Sequence, residues 1–143
     1  STMNRICRMG CLMSVIFALV FVLGCQGKKG PVSAQSLSRV HFDFDSAAIR
    51  PEMISVLEEN AGYLKNHSSL SVVIEGHCDE RGTNEYNLAL GDERAGAVEN
   101  FLSSQGVSNE RLRTVSYGEE RPLDAGHGES AWYENRRADF LRQ

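Results

Sequence analysis

Ile-Glu-Gly-His-Cys-Asp-Glu-Arg-Gly-Thr-Asn-Glu-Tyr-Asn-Leu-Ala-Leu-Gly-Asp-Glu-Arg-Ala, residues 74–95, reads as the end of a strand, a polar loop and the first half of a helix. The residues that lead into it, 71–74, are mostly β-branched and apolar, which is typical of a buried strand. Gly82 can adopt the positive φ that a sharp reversal needs. Thr83 or Asn84 can cap the following helix, because a short side-chain oxygen accepts from a free N–H of the first turn. We therefore predict a strand, a tight loop and a helix in direct succession.

The predicted helix carries an apolar stripe with polar residues beside it. Apolar residues recur at steps of three and four, which indicates one buried face. They are Leu88, Gly91, Ala95, Val98 and Leu102. Asn87, Leu90 and Arg94 keep the same spacing beside the stripe. Asp79 at the strand end and Arg94 in the helix can then face one shallow site from opposite sides, or can simply pair with each other.

This stretch carries a resemblance to a known family. Residues 75–83, followed by Tyr86-Asn87-x-x-Leu90-Gly91-x-x-Arg94-Ala95-x-x-Val98, resemble the signature of OmpA-like peptidoglycan-binding domains. The resemblance covers residues 39–143 and is strongest to the branch formed by the peptidoglycan-associated lipoproteins.

Cys78 departs from the family pattern, which usually has Ala or Thr there. In a strand its side chain would face away from His77 and Asp79. We expect a small buried side chain at Cys78, with a reactive thiol as the alternative.

The rest of residues 39–143 predicts alternating strands and helices. Strands are expected at 40–45, from 71 to an end at Asp79, at 111–117 and at 136–141, with a polar loop at 119–129 and a short helix at 130–135. The first helix is expected to begin at Pro51, where a missing N–H costs nothing. Its expected buried residues are Ile54, Leu57, Ala61 and Leu64. The order βαβαβ(α)β predicts an α/β (α+β) sandwich, with a mixed four-stranded sheet and helices on one face.

The first 38 residues differ from the rest. Arg5 and Arg8 precede the apolar run 12–23, and Gly24 ends it, which together indicate a secretory signal over residues 1–24. Twelve residues rise about 18 Å as a helix, less than the roughly 30 Å of a bilayer core, so a transmembrane anchor is the weaker interpretation. Ser1 and Thr2 precede the expected start at Met3.

Val22-Leu23-Gly24-Cys25 resembles the bacterial lipobox, which implies cleavage before Cys25 and a lipid on its thiol. The residues that follow, up to Ser38, contain Gly, Lys, Pro and Ser and predict a flexible tether. Removal of the signal would leave Cys78 as the one thiol without lipid, so no disulfide within the mature chain is expected.

The charge of the expected mature chain excludes some partners. Thirteen of the 15 basic residues follow residue 25 and all 19 acidic residues follow residue 40, which gives a net charge of −6. Nucleic acids and anionic lipid surfaces need a positive face, so neither is an expected partner. The Arg136-Arg137 pair is expected to meet acidic neighbours.

The resemblance implies a ligand and a set of binding residues. Peptidoglycan of many Gram-negative bacteria contains meso-diaminopimelate, whose free end carries an ammonium and a carboxylate on one carbon. Asp79 can accept from the ammonium, and Arg94 can grip the carboxylate with its planar fork of N–H donors. The family pattern assigns this work to the same two positions. It adds further residues of the wall, namely Asp43, Phe44, Arg81, Gly82, Thr83, Asn87 and Leu90.

Enzymatic readings find less support in the sequence. Glu75, His77 and Asp79 share one face of a strand and suggest a metal, but no second His lies at ligand spacing, so a structural His77 is preferred. No nucleophile with a base is apparent. We therefore predict no cofactor, no metal and no catalysis.

The resemblance implies a lipoprotein on the periplasmic face of the outer membrane that tethers this membrane to the cell wall. Such proteins work with the Tol system during envelope constriction in cell division, and the resemblance implies the same partners here. A wall hydrolase or amidase is the alternative. A flagellar stator component would require a true transmembrane helix in place of the lipobox.

Overall fold

The computed structural model describes residues 37–143 and confirms the predicted order of elements. The expected signal, the lipid site at Cys25 and the tether up to residue 36 lie outside the described residues. Leu37 packs against the core, so the folded part includes the end of the expected tether. The elements are β1 (Val40–His41), α1 (Ile54–Asn66), β2 (Val72–His77), α2 (Asn84–Ser104), β3 (Leu112–Gly118), α3 (Glu129–Asn135) and β4 (Arg137–Arg142).

The four strands form one mixed sheet in the order β1-β4-β2-β3. Strands β2 and β3 are parallel neighbours joined through α2, as a right-handed crossover predicts. The last strand, β4, lies antiparallel between β1 and β2. The start and the end of the described chain therefore meet in the sheet.

The core lies where α1 and α2 pack on the sheet. Leu57, Ala61 and Leu64 of α1 are buried as predicted, but Ile54 was predicted wrongly, since it is 41% exposed. The helix buries Asn60 instead, whose amide donates to the carbonyl of Ser38 and whose carbonyl accepts from the Ser38 N–H. A polar side chain thus fastens the chain just ahead of β1.

Strand β1 is shorter than the predicted span 40–45. The Phe42 N–H donates to the carbonyl of Arg136, and the chain then turns away from the sheet, with Asp45 at a φ of 53°. A positive φ is tolerated by Asp better than by most residues. The alternation of apolar and polar residues therefore continues beyond the strand, into a loop that approaches α2.

Helix α2 approaches β2 more closely than any side chain would allow. A Cβ built on Gly76 of β2 would lie 1.7 Å from the carbonyl oxygen of Gly91 in α2, and one built on Gly91 would lie 2.2 Å from the Ser116 Oγ. Two glycines that face each other therefore set the depth at which α2 lies on the sheet.

The opposite face of β2 carries a buried histidine. His77 is 2% exposed and stacks on Tyr117, with ring centroids 5.6 Å apart. Neither ring nitrogen has a hydrogen-bond partner among the described residues. Glu75 and Asp139 lie 3.9 and 4.0 Å from Nε2, too far for a hydrogen bond. Burial lowers the pKa of His77 to about 4, and Arg137 acts in the same direction while Asp139 opposes it.

We predict that Gly76→Ala lowers the free energy of unfolding by about 3 kcal/mol or more, because the new methyl group collides with backbone that cannot move alone. Gly91→Ala should cost less, since the nearest atom is a rotatable hydroxyl. Gly96→Ala is the matched control in α2: nothing lies within 4 Å of its built Cβ, and Ala favours a helix by up to about 1 kcal/mol over Gly. Urea denaturation measures all three, and equal effects at Gly76 and Gly96 would contradict the close contact.

We predict a loss of stability below pH 6.5 that His77 causes. The pKa is about 4 in the folded chain and about 6.5 in the unfolded chain, so the unfolded chain binds the extra proton between these values. The loss of stability begins near pH 6.5, grows as the pH falls, and reaches about 3 kcal/mol at pH 4. His77→Phe should remove this component. If the unfolding free energies of the wild type and of His77→Phe depended on pH in the same way, His77 would not be the cause of the loss.

Candidate functional site

A cavity of about 220 Å³ opens where the carboxyl end of β2, the start of α2 and the loop after β1 meet. Because β1 ends at His41, the loop that follows it is free to place Phe44 and Asp45 in the cavity wall. The cavity is lined by Phe44, Asp45, Cys78, Asp79, Arg81, Gly82, Tyr86, Asn87, Leu90 and Arg94. Most of the predicted site residues therefore meet in one place.

Arg94 is a buried cation in the wall of this cavity. It is 1% exposed, and its guanidinium donates to three backbone carbonyl oxygens. The acceptors are Ser46 at 2.9 Å from Nε, His77 at 2.8 Å from Nη1 and Asp43 at 3.0 Å from Nη2. Burial lowers the pKa of Arg94, although Cys78 and Asp79 act in the opposite direction. The cation thus joins the loop after β1 to the end of β2.

Asp79 is a buried carboxylate in the same wall, 3% exposed. Arg81 donates to Oδ1 from its backbone N–H at 3.0 Å and from Nε at 3.1 Å, and to Oδ2 from Nη2 at 2.7 Å. Arg136 adds a fourth bond to Oδ2 at 3.4 Å. Burial would raise the pKa of Asp79, but these hydrogen bonds outweigh it and hold the pKa below its ordinary value.

Asp79 and Arg94 do not pair with each other. Each is held by other groups, Asp79 by two arginines and Arg94 by carbonyls, although both line the cavity. The alternative in which the two residues only neutralise each other is therefore wrong for this structure.

Arg81 lies between two aromatic rings at the rim. Its Cζ is 3.8 Å from the ring centroid of Phe44 and 4.1 Å from that of Trp132. Trp132 is held in turn by a hydrogen bond from Nε1 to Glu80, which also bonds to His127. Cation–π contacts of this kind stabilise a guanidinium without using its N–H donors.

Backbone geometry fixes the loop that carries Asp79 and Arg81. Gly82 adopts a φ of 106°, as the predicted reversal requires. The Thr83 hydroxyl accepts from the Tyr86 N–H and caps α2, also as predicted. The Asn87 amide donates to the carbonyls of Asp79 and Arg81. Asn87 thus shapes the loop as well as lining the cavity.

Two predicted site residues do not line the cavity. The Asp43 side chain is exposed and pairs with Arg50 at 3.3 Å, so this residue contributes its backbone carbonyl to Arg94. Thr83 acts as the helix cap. Phe44, by contrast, is 56% exposed at the rim, and Leu90 forms apolar wall.

Other residues of the site were not predicted. Asp45 and Tyr86 hydrogen-bond to each other at the rim. Arg136 reaches Asp79 from the junction of α3 and β4 and also donates to the Phe42 carbonyl. The acidic neighbours expected for Arg136-Arg137 are present. Nothing in the local sequence, however, predicted that Arg136 would lie at this site.

Cys78 is buried as predicted, and burial raises the pKa of its thiol to about 11. The expectation that it faces away from Asp79 was wrong. Cys78 lies one residue past the end of β2, lines the same cavity, and donates from Sγ to the Asn87 carbonyl at 3.2 Å. The alternation of a strand does not extend to it.

The part of the chain that the structure describes contains no group of three or more His, Cys, Asp or Glu side chains that could hold a metal ion. Within residues 37–143, no helix is long and apolar enough to cross a membrane.

Known proteins are similar to this chain in sequence and in fold. The OmpA family matches residues 41–136. A peptidoglycan-associated lipoprotein of Mesorhizobium japonicum is 39% identical over 148 residues, which cover 89% of this chain and 88% of the relative. One of Pseudomonas aeruginosa is 48% identical over 108 residues, or 76% of this chain and 64% of the relative.

Solved structures of related proteins have the same fold as this chain. The peptidoglycan-associated lipoprotein from Burkholderia pseudomallei is 47% identical, with a TM-score of 0.71 over 73% of this chain and 89% of that one. The C-terminal domain of Helicobacter pylori MotB has a TM-score of 0.70 over 76% of this chain and 85% of that one. At 21% identity this second likeness shows the fold alone.

Proposed function

The chain belongs to the OmpA family, and from this we propose that it is a non-catalytic lipoprotein that binds the diaminopimelate-containing peptide of peptidoglycan. The observation that carries the proposal is a buried carboxylate and a buried guanidinium in one cavity wall that do not pair with each other. A cavity with this arrangement suits a ligand end that carries both charges.

Arg94 is the proposed carboxylate-binding group. Three of its five N–H donors are used by carbonyls of the described chain, and the Cys78 side chain also interacts with this guanidinium, so at most two donors are left for a ligand. The carbonyl bonds fix the guanidinium before the ligand arrives, so little side-chain freedom is lost on binding. Burial also strengthens its attraction for an anion.

Asp79 is the proposed ammonium-binding group. Its carboxylate stays ionised at neutral pH because the hydrogen bonds from Arg81 and Arg136 hold its pKa below the ordinary value against the effect of burial. The remaining predicted residues support the two charges: Phe44, Arg81, Gly82, Asn87 and Leu90 line the wall, Asp43 supplies a carbonyl and Thr83 caps α2.

The same proposal covers the organisation and location of the chain. Residues 1–24 act as a signal, Cys25 carries lipid in the outer membrane, the following residues form a tether, and the domain from residue 39 binds the wall on the periplasmic side. Proteins of the Tol system are the proposed partners, in envelope integrity and cell division. The relatives' name, peptidoglycan-associated lipoprotein, supports the wall and the lipid parts of this proposal.

We predict that Asp79→Asn and Arg94→Lys each weaken binding of a soluble diaminopimelate-containing peptide about ten- to hundredfold. Each change removes a charge-assisted hydrogen bond, which contributes about 1.5–3 kcal/mol. Lysine keeps the charge of Arg94 but lacks the planar fork. Isothermal titration calorimetry measures the affinities.

The controls separate binding from folding. Because Arg94 also holds three carbonyls, circular dichroism and urea denaturation must show that each variant is folded at the assay temperature. Asp92→Asn and Arg113→Lys, both at exposed positions away from the cavity, should keep wild-type affinity. Wild-type affinity in the Asp79 and Arg94 variants would place the ligand elsewhere.

We predict that Cys25→Ala releases the protein from the outer membrane or leaves it uncleaved, because acyl chains on Cys25 are the proposed anchor. Membrane fractionation followed by mass spectrometry of the N-terminal peptide tests this. Cys78→Ala should fractionate like the wild type. Unchanged outer-membrane fractionation of the Cys25 variant would show that the lipobox interpretation is wrong.

A further inference from the structure

We propose that Arg81 determines ligand specificity by occupying the ammonium position on Asp79 until a ligand with both an ammonium and a carboxylate replaces it. This inference rests on the proposed function. A residue that only lines the wall would contact the bound ligand, whereas Arg81 would compete with the ligand for Asp79.

The first observation is that Asp79 has no vacant acceptor site. A carboxylate offers about four lone-pair positions, and Asp79 already accepts four hydrogen bonds, three from Arg81 and one from Arg136. An ammonium that binds Asp79 must therefore displace a donor.

Arg81 is the donor that can leave. Its side chain is 30% exposed, whereas that of Arg136 is 5% exposed and is also bonded to the Phe42 carbonyl and to Glu129. The Arg81 backbone N–H can keep its bond to Oδ1 while the guanidinium withdraws. Only the side-chain bonds need to be exchanged.

The second observation is that Arg81 has support independent of Asp79. The ring centroids of Phe44 and Trp132 lie 3.8 and 4.1 Å from its Cζ. A guanidinium between two rings can turn or slide in its own plane and remain stacked. The displaced cation thus stays at the rim, with its N–H donors free for a ligand anion.

Charge balance then selects the ligand. The guanidiniums of Arg81, Arg94 and Arg136 share this region with three carboxylates. Asp79 and Asp45 line the cavity, and Glu129 pairs with Arg136. These charges therefore already balance without a ligand. A ligand with only an ammonium adds positive charge and leaves Arg81 without its carboxylate partner. A zwitterionic end adds no net charge, and its carboxylate can engage the cations. The exchange therefore favours diaminopimelate over lysine at the same position of a peptide.

Calorimetry with two matched peptides tests this role: one carries meso-diaminopimelate, and the other carries lysine, which lacks the second carboxylate. The wild-type protein should prefer the first peptide by at least about tenfold. In Arg81→Ala the lysine peptide should bind more tightly than it does to the wild type, so the preference should shrink several-fold. Arg81→Gln, which loses the charge but keeps an N–H donor, should reduce the preference for the diaminopimelate peptide in the same way as Arg81→Ala. Arg113→Ala, which removes an exposed arginine away from the cavity, should keep the wild-type preference.

A second measurement follows Arg81 directly. The Nε–Hε resonance of Arg81 in nuclear magnetic resonance spectra should shift on saturation with the diaminopimelate peptide, because its bond to Asp79 is exchanged. An unchanged resonance, or the same preference in wild type and both Arg81 variants, would overturn the proposed role of Arg81 while leaving a peptide site intact. Absence of binding of either peptide to the wild type would overturn the proposed function as well.

Discussion

The contact between Gly76 and Gly91 is the constraint on which the rest of the site depends. With no side chain on either residue, the backbone of α2 lies directly on β2. Arg94 follows Gly91 by three residues on the same helix, so the depth of this contact sets how far its guanidinium reaches. At the observed depth the guanidinium bonds to the carbonyl at the end of β2 and to the loop after β1. A helix held farther from the sheet could not make these bonds.

Arginines organise the site by bonding to backbone as well as to carboxylates. Arg94 and Arg136 both donate to carbonyls of the segment that follows β1, at Asp43 and Phe42 respectively. Arg136 also reaches Asp79, so the end of the chain contributes to a site that otherwise belongs to β2 and α2. Planar guanidiniums with several donors can bridge elements in this way, whereas a lysine ammonium offers a single point of attachment.

Much of the fold could be predicted because local patterns and global packing agree. The cap at Thr83 and the reversal at Gly82 are local features, and both are confirmed. The stripe on α2 is confirmed except at its first residue, Leu88, which is only half-buried. The prediction for Ile54 was wrong because the periodic pattern includes it, whereas the structure leaves this first residue of α1 41% exposed. The short β1 was missed because a strand ends where its partner ends, and β4 begins only at Arg137.

Most residues of the site could be predicted from the sequence, but the hydrogen bonds between them could not. Spacing placed Asp79 and Arg94 at one cavity, but pairing between Asp79 and Arg81 depends on a loop conformation that spacing does not determine. The contributions of Arg136 and Trp132 come from 57 and 51 residues farther along the chain than Asp79 and Arg81, respectively. Such long-range contacts have no local signal in a single sequence.

The most direct test of the central claim is a crystal structure of the protein with a soluble peptide that contains meso-diaminopimelate. We predict that the ligand ammonium lies within hydrogen-bond distance of the Asp79 carboxylate, and that a carboxylate oxygen on the same carbon accepts from Arg94. A peptide bound outside this cavity, or one inside it that touches neither residue, would contradict the account.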